Sequence, residues 1–288
     1  IKMFFKKLLR NIFFSDLSYK NPIIIDNHKA MELMASELES EDILAIDTEF
    51  DWRTTYHPKL SLIQIASKNS IYLIDCLKIN LKQLKQKLFK DSKKLLIFHS
   101  VRSDTTVLSS ALEVYVKNVY DIQIAEKQIS KKDFQAYGEI VKKYCRIRID
   151  KDETKSNWLR RPLTDSQINY AANDVRFLIR IYFLQKKILN KKINLYSDVL
   201  RESKIQAEKG NEKLYMARLR RKKLSLFEKK IFMWREKVAE EQNTPISYIF
   251  KDKKLKDLSH SLKSKNMKML TKILGDNFLV ERLIKEVK

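Results

Sequence analysis

Short apolar runs alternate with longer amphipathic segments between about residue 21 and residue 195 of this chain. The runs are rich in Ile and Leu and end at polar residues, so they predict buried strands. The segments between them have helical spacing, as at Lys29–Leu38 and Lys82–Phe89. Alternation of this kind predicts an α/β fold, in which a mixed sheet is flanked by helices. The predicted strands are Ile23–Ile25, Ile43–Ile46, Ser61–Ala66, Ile71–Ile74 and Leu95–Phe98, with a hairpin turn at Asn69–Ser70.

The rest of the chain is predicted to be helical. A charged helical stretch runs from about Ile188 to Glu212, and Gly210 is the predicted break in it. Helices at Leu224–Glu240 and Ile246–Phe250 follow, separated by a link that contains Pro245. The pattern divides the chain into an N-terminal extension (1–20), an α/β domain (21–195), a helical linker (196–211) and a small all-α domain (212–288).

Two carboxylates stand at the end of the predicted strand that begins at Ile43. Side chains alternate along a strand, so Asp47 and Glu49 are expected to point to the same side. Two adjacent buried carboxylates are costly unless a cation neutralises them, and Mg²⁺ and Mn²⁺ prefer carboxylate oxygens. A strand that emerges into solvent with two exposed acids would show the same pattern.

Two later segments carry further candidate residues. Asp104 follows the strand Leu95–Phe98 and lies in the first turn of a predicted helix, where the helix dipole alone favours an acid. Tyr170 and Asp174 are four residues apart in a helix predicted from about Thr164 to Leu184, so both face the same way. Each segment alone has little specificity, whereas the joint arrangement is specific.

Together the segments resemble the DEDD superfamily of 3′-5′ exonucleases, and a Tyr four residues before the last Asp matches its tyrosine-bearing branch. Finer matches resemble the ribonuclease D family over roughly residues 22 to 190. The resemblance implies a ribonuclease H-like fold. The matching runs are Asp47-Thr48-Glu49-Phe50, Tyr56-His57-Pro58-Lys59-Leu60-Ser61-Leu62-Ile63-Gln64-Ile65-Ala66 and Trp158-Leu159-Arg160-Arg161-Pro162-Leu163, followed by Gln167, Tyr170-Ala171-Ala172 and Asp174.

Two positions depart from the family's pattern. The second motif reads His99-Ser100-Val101-Arg102-Ser103-Asp104, where family members often have Asn or Ala near the Ser and Val. Asn157 stands where an Asp is common. Neither departure removes a metal ligand, so both bear on substrate contacts rather than on the chemistry.

The resemblance also implies a mechanism. Asp47, Glu49, Asp104 and Asp174 would hold two divalent ions, Mg²⁺ or Mn²⁺, one to activate a water and one to steady the leaving 3′ oxygen. Tyr170 would orient that water, because an unperturbed phenol with a pKa of about 10 is a poor base at neutral pH. The expected activity is that of a 3′-5′ exoribonuclease, which trims structured RNA such as tRNA precursors and releases 5′-mononucleotides.

The C-terminal segment resembles the HRDC domain shared by RecQ helicases and ribonuclease D. Between residues 206 and 288, Lys plus Arg number 22 and Asp plus Glu 11, and the whole chain carries a net charge of +23. This excess suggests a polyanionic partner, RNA first and DNA second, and no obligate protein partner is inferred. The residues that match the module are Leu226, Trp234, Arg235, Ala239, Asn243, Pro245, Leu255 and Leu258.

Candidate nucleic-acid contacts fall into two groups. The densest basic run is predicted to contact the phosphate backbone, although a solvated surface would have the same composition. For His57 and His99 a structural role is favoured, and Trp158 suits either a core position or base stacking. The predicted substrate contacts are Thr48, Phe50, His99, Lys151, Trp158 and Arg161, and the basic run comprises Arg218, Arg220, Arg221, Lys222 and Lys223.

Two other functions fit part of the pattern. A DNA exonuclease of repair or proofreading would use the same acids, and an inert RNA-binding protein would share the scaffold. The second is disfavoured because all four acids and the Tyr are present. Two scattered cysteines and the lack of an apolar run of about 18 residues predict a cytoplasmic protein with no membrane span.

Overall fold

The computed structural model describes residues 20–89, 93–149 and 153–287. The chain forms two compact units, one of residues 20–51 and 60–211 and the other of residues 52–59 and 212–287. The predicted N-terminal extension, apart from Lys20, lies outside the described residues. Within the described ranges, no helix is both long and apolar enough to cross a membrane.

A six-stranded mixed sheet forms the centre of the first unit. Its strands are β1 (Ile23–Ile25), β2 (Ile43–Asp51), β3 (Lys59–Ala66), β4 (Ile71–Asp75), β5 (Leu95–Phe98) and β6 (Val119–Asp121). In space they follow the order β1-β4-β3-β2-β5-β6. β1 is parallel to β4, β5 is parallel to both β2 and β6, and β3 and β4 form an antiparallel hairpin. The predicted mixed sheet and the hairpin at Asn69–Ser70 are confirmed.

Helices cover both faces of this sheet. They are α1 (His28–Glu39), α2 (Leu81–Leu88), α3 (Arg102–Leu112), α4 (Ile122–Ser130), α5 (Tyr137–Cys145), α6 (Asp165–Arg176), α7 (Leu178–Leu189) and α8 (Leu195–Gly210). α1, α2 and α3 bury their apolar residues in one core, and α4 to α7 bury theirs in the other. α8 contributes Val199 to one core and Ala207 to the other and packs on β6 at the edge of the sheet.

The alternation of side chains along β2 fixes which face each residue serves. Ala45 lies in the core that α4 to α7 cover, whereas Leu44 and Ile46 lie in the core that α1 to α3 cover. Because the side-chain period of a strand is two, odd-numbered residues of β2 point to the face that α4 to α7 cover. Even-numbered residues point to the face that α1 to α3 cover. This assignment decides where the acids at the end of β2 can reach.

The structure corrects two predictions in this unit. β6 was not expected from the sequence, because it is only three residues long, although all three are buried. The helix predicted from Thr164 to Leu184 is in fact two helices, α6 and α7, that meet at Phe177. The hydroxyl of Tyr137 donates to Asn173 O at 2.9 Å, and this is the carbonyl that the amide of Phe177 would use in a continuous helix. A side chain inserted into the hydrogen-bond ladder therefore breaks the helix.

The second unit is a bundle of short helices. It contains α9 (Leu214–Leu219), α10 (Leu226–Glu241), α11 (Ile246–Ile249), a 3₁₀ turn (Asp252–Lys254), α12 (Leu255–Lys263), α13 (Met267–Leu274) and α14 (Asn277–Glu286). α10 begins at a capping box, in which Ser225 and Glu228 satisfy each other's backbone amides. The predicted helical architecture of this region is confirmed.

The core of the second unit includes a residue from far away in the sequence. Tyr56, in the segment between β2 and β3, is only 2% exposed. Its hydroxyl donates to Glu236 Oε2 at 3.0 Å, and Arg218 Nη1 donates to the same oxygen at 2.6 Å. Asn243 Oδ1 accepts the backbone amides of Tyr56 and His57, each at 3.2 Å. The segment 52–59 is thus an integral part of this helical unit, which the residue pattern did not indicate.

Replacing Tyr56 with Ala is expected to destabilise the second unit by about 3–5 kcal/mol, the usual cost of truncating a buried aromatic residue. The substitution opens a cavity and removes one donor from the buried carboxylate of Glu236. Native-state hydrogen exchange of the α10 amides measures the effect, because their protection reports the free energy of opening this unit.

Tyr248→Ala is the matched control, since Tyr248 lies in the same unit and is 69% exposed. The free energy of opening that its protection factors give should stay within about 0.5 kcal/mol of the value for the unmodified protein. Equal protection in the two variants would show that Tyr56 does not support this core.

Candidate active site

Three carboxylates from two elements converge beside the sheet. One oxygen each from Asp47, Glu49 and Asp174 lies within 4.8 Å of the other two. Asp47 and Glu49 are odd-numbered residues of β2, so they point to the face that α6 covers, as predicted from the strand period. A capping box between Thr164 and Gln167 fixes the start of α6, two and a half turns before Asp174.

The fourth acid, Asp104, comes from the opposite face of the sheet. It lies in the first turn of α3, which packs in the same core as α1 and α2. Its side chain is 3% exposed, and its Oδ1 accepts a hydrogen bond of 2.7 Å from the hydroxyl of Thr48. Thr48 is an even-numbered residue of β2 and therefore points towards α3. The end of β2 thus carries two acids on one face and contacts a further acid through Thr48 on the other.

The loop before α3 is fixed by a buried carboxylate. Asp121, at the end of β6, accepts the amides of Ser100 and Val101 at 3.0 and 2.9 Å. It also accepts the amide of Gln123 at 2.8 Å and so caps α4. One side chain therefore sets the position of the turn that carries Asp104.

Burial raises the pKa of every acid in the cluster, and the charge of neighbouring carboxylates raises it further for Glu49, Asp104 and Asp174. Burial raises the pKa of Asp47 to about 7. Burial, followed by the charges of Asp47, Asp174 and Asp104, raises the pKa of Glu49 to about 10. The pKa values of Asp104 and Asp174 lie well above their usual range, first because of burial and then because of the charge of Asp47. All four groups can be ionised together at neutral pH only if a cation offsets their charge.

The donor set fits a divalent cation. It consists of carboxylate oxygens, the preferred ligands of Mg²⁺ and Mn²⁺, and neither His nor Cys belongs to the group of close ligand atoms among the described residues. The raised pKa values indicate that the four carboxylates are unfavourable as bare anions in this fold, and a bound cation would relieve that cost.

Tyr170 lies on α6, one turn before Asp174. Its hydroxyl oxygen is 3.3 Å from Thr154 Oγ1, and its ring centroid is 5.9 Å from that of Trp158. Burial, followed by the charge of Asp174, raises the pKa of this phenol above its usual value. Tyr170 therefore keeps its proton at neutral pH, which suits a hydrogen-bonding group better than a base.

Arg161 and Trp158, both predicted substrate contacts, are held together in one loop. Arg161 donates from Nε and Nη2 to the two carboxylate oxygens of Asp75, at 2.7 and 2.8 Å. It also donates from Nη1 to Trp158 O at 2.7 Å. Trp158 itself is 3% exposed and belongs to the core of the first unit, on the α6 face. The pair fastens the loop before α6 to the β3–β4 hairpin.

The other predicted substrate contacts differ in their surroundings. The Nε2 atom of His99 lies 3.2 Å from Gln135 O, and its ring is 5.5 Å from that of Tyr137. Phe50 is half-buried against the core shared with α1 to α3. Thr48 is buried and bonded to Asp104. Lys151 lies outside the described residues.

The basic run after α9 is partly engaged in ion pairs within its own unit. Arg218 binds the buried Glu236 at 2.6 Å, Arg220 binds Glu212 at 2.5 Å, and Lys222 binds Asp252 at 2.5 Å. The remaining members, Arg221 and Lys223, are exposed. Their exposure makes them the members of the run best suited to contact a partner.

Sequence reasoning missed two residues that shape the site. Asp121 could have been found as an Asx cap, because it precedes a helix whose N2 amide it accepts. Tyr137 left no such signal, since its contact with Asn173 O depends on how α5 packs against α6.

Comparison with known proteins identifies the class of this chain. A sequence profile described as 3′-5′ exonuclease matches residues 22–193, and a profile of the HRDC domain matches residues 226–280. The chain therefore belongs to the 3′-5′ exonuclease family.

Individual relatives carry a more particular name. Ribonuclease D of Desulfotalea psychrophila is 32% identical over 249 residues, which cover 81% of this chain and 65% of the relative. The chain spans slightly less than two thirds of the length of the first relatives it matches. The resemblance to ribonuclease D read from the motifs is confirmed.

Solved structures show the same fold. The crystal structure of Escherichia coli RNase D, described as an exoribonuclease involved in structured RNA processing, matches with a TM-score of 0.80 at 21% identity, over 93% of this chain and 74% of that one. Trypanosoma brucei RNase D in complex with RNA U12 matches with a TM-score of 0.59 at 22% identity, over 68% of this chain and 72% of that one. These likenesses confirm the predicted fold class.

Asp174→Asn is expected to stabilise the metal-free protein and to remove its stabilisation by Mg²⁺. Removing one buried charge relieves repulsion worth about 1 kcal/mol, which corresponds to ~2–4 °C in Tm for a domain of this size. The pKa of Asp47 rises from 3.8 to about 7 on folding, so metal-free stability should fall as pH rises across that interval. The advantage of the variant should grow across the same interval, as measured by thermal melts in EDTA.

Asp133→Asn removes an exposed acid of the same unit and serves as the control. It should leave both the metal-free Tm and the response to Mg²⁺ unchanged. A lower Tm for Asp174→Asn in EDTA would contradict the claim that the four carboxylates repel one another.

Proposed function

We propose that this chain is a metal-dependent 3′-5′ exoribonuclease that removes 5′-mononucleotides from the 3′ ends of structured RNA such as tRNA precursors. The observation that carries the proposal is the convergence of four carboxylates from both faces of one sheet, Asp104 buried and the other three half-buried, with Tyr170 beside them. The names of its relatives support RNA as the substrate. A reducing, cytoplasmic compartment is part of the proposal, because Cys76 and Cys145 are buried free thiols.

The acids would hold two divalent ions, Mg²⁺ or Mn²⁺. Asp47, Glu49 and Asp174 form the closest group of ligands, and Asp104 approaches from the other face. When bound, such ions supply an activated water and stabilise the leaving 3′ oxygen. The protein contributes the fixed positions of the oxygens and a buried setting in which their charge must be neutralised.

Tyr170 would position the attacking water. Its raised pKa means that the phenol stays protonated near neutral pH, so it acts as a hydrogen-bond partner rather than as a proton acceptor. The ring of Tyr170 packs at a tilt against that of Trp158, with 5.9 Å between the centroids. Arg161 and Asp75 in turn hold the backbone of the Trp158 loop.

Contacts to the RNA are assigned by proximity to the acids on β2 and α3 and, in the HRDC-like unit, by exposure and charge. Phe50 and His99 lie close in sequence to the acids on β2 and α3, and we assign them to the 3′-terminal nucleotides. Arg221 and Lys223 are exposed cations of the HRDC-like unit, and we assign them to the phosphate backbone. Lys151 remains a predicted substrate contact, on the basis of its place in the sequence shortly before the run that begins at Trp158.

A gel assay on a 5′-labelled, 3′-extended tRNA precursor and on a DNA strand of matched sequence tests the proposal. With Mg²⁺ or Mn²⁺, the RNA should shorten stepwise from its 3′ end and release 5′-mononucleotides, and EDTA should stop the reaction. Asp174→Asn should lower the rate by about 10³-fold or more, because metal stabilisation of the transition state is worth several kcal/mol.

Asp133→Asn should cleave at the rate of the unmodified protein and controls for the loss of one acid. Faster degradation of the DNA strand would reassign the protein to DNA repair or proofreading. Binding of RNA without cleavage under any metal would leave an RNA-binding protein on an exonuclease scaffold.

Tyr170→Phe should lower kcat by about 10- to 100-fold, the cost of one hydrogen bond to a charged reacting group, with little change in KM. The pH–rate profile should keep its shape, because the phenol does not titrate in the working range. Steady-state kinetics between pH 6 and pH 9 measure both quantities. Loss of the alkaline or acidic limb in the variant would assign Tyr170 a proton-transfer role instead.

A further inference from the structure

We infer that Thr48 is a positioning residue, whose hydroxyl holds the carboxylate of Asp104 in the orientation needed to bind a cation. The inference rests on the proposed function for the identity of the reaction. The bond itself is a feature of the fold, with 2.7 Å between Thr48 Oγ1 and Asp104 Oδ1 in a buried position.

Strand alternation explains why Thr48 can do what its neighbours cannot. Asp47 and Glu49 point to the face covered by α6, while Thr48 between them points to the face covered by α3. Asp104 comes from α3, so the side chain of Thr48 can contact it, whereas those of Asp47 and Glu49 point to the other face. A single strand segment thus carries two ligands on one face and orients a third ligand on the other.

Asp104 has a particular need for such a partner. Asp174 belongs to the group whose oxygens lie within 4.8 Å of one another, and Asp104 lies outside that group. The charge of Asp47 repels Asp104, and the hydroxyl of Thr48 is the side-chain donor that opposes this repulsion, so its loss would favour a rotamer turned away from the cluster. The hydroxyl of Thr48 engages one lone pair of Oδ1, so the carboxylate would keep further lone pairs with which to hold a cation. Hydrogen bonds of this kind to metal-binding carboxylates commonly change metal affinity 10- to 100-fold.

The backbone of Asp104 is fixed without Thr48. Asp121 holds the loop before α3 through two amides. α8 contacts the same turn so closely that a Cβ added to Gly210 would lie 2.5 Å from Arg102 O. A change at Thr48 should therefore release the side chain of Asp104 and leave the helix in place.

The test compares Thr48→Val, which removes the hydroxyl at nearly constant shape, with Thr48→Ser, which keeps it. Thr105→Val is the matched control, because Thr105 is also fully buried and its hydroxyl donates to the carbonyls of Val101 and Arg102 rather than to a carboxylate. Mn²⁺ binding is followed by the electron paramagnetic resonance signal of the unbound ion, with full-length protein and no RNA. Circular dichroism establishes that each variant is folded.

Thr48→Val should weaken one class of Mn²⁺ sites by about 10- to 100-fold, while Thr48→Ser and Thr105→Val bind as the unmodified protein does. In steady-state assays, the Mg²⁺ concentration for half-maximal rate should rise by a similar factor in Thr48→Val. The KM for RNA should change little.

Unchanged Mn²⁺ binding in Thr48→Val would overturn the inference, and so would an equal loss in Thr105→Val, which would indicate a general packing defect. Failure of Thr48→Ser to restore binding would also overturn it. Saturable Mn²⁺ binding without RNA cleavage by the unmodified protein would refute the proposed function and leave Thr48 to be judged on the binding curves. A complete lack of saturable binding would refute both.

Discussion

The constraint on which the rest of this structure depends is the gathering of four carboxylates, one buried and three half-buried, around the end of one strand. Bare, they repel one another and lose hydration, which is why their pKa values rise and why Asp47 titrates only near 7. A cation bound among the carboxylates would relieve this repulsion, and the relief would contribute to its binding free energy. The sheet, α3 and α6 therefore form a scaffold that holds four carboxylates close together against their mutual repulsion.

Both faces of the sheet are needed to assemble that charge. β2 presents Asp47 and Glu49 to α6, and its next side chain, Thr48, meets Asp104 from α3. Supporting contacts lie one step further out. Asp121 fixes the turn before α3, and the Arg161–Asp75 pair fastens the loop before α6. Several charged residues thus hold backbone, as the bond from Arg161 to Trp158 O illustrates.

The sequence was informative where local rules decide the outcome. The two-residue period of a strand predicts that Asp47 and Glu49 point to the same side of β2. The four-residue spacing of Tyr170 and Asp174 predicts that both lie on one face of a helix. Neither prediction needs tertiary information. Packing decided the rest. The break at Phe177 follows from a hydroxyl on α5, and the burial of Tyr56 with Glu236 joins residues 180 positions apart. Arg218 looked like part of a basic surface because its buried partner could not be seen in the residue pattern.

The most direct test of the account is anomalous diffraction from crystals of the full chain soaked in Mn²⁺. We expect one ion bound by oxygens of Asp47, Glu49 and Asp174, and a second ion that contacts Asp104 while Thr48 keeps its bond to that carboxylate. No ion among the acids, or ordered ions that all avoid Asp104, would contradict the claim that the four carboxylates form a single metal centre.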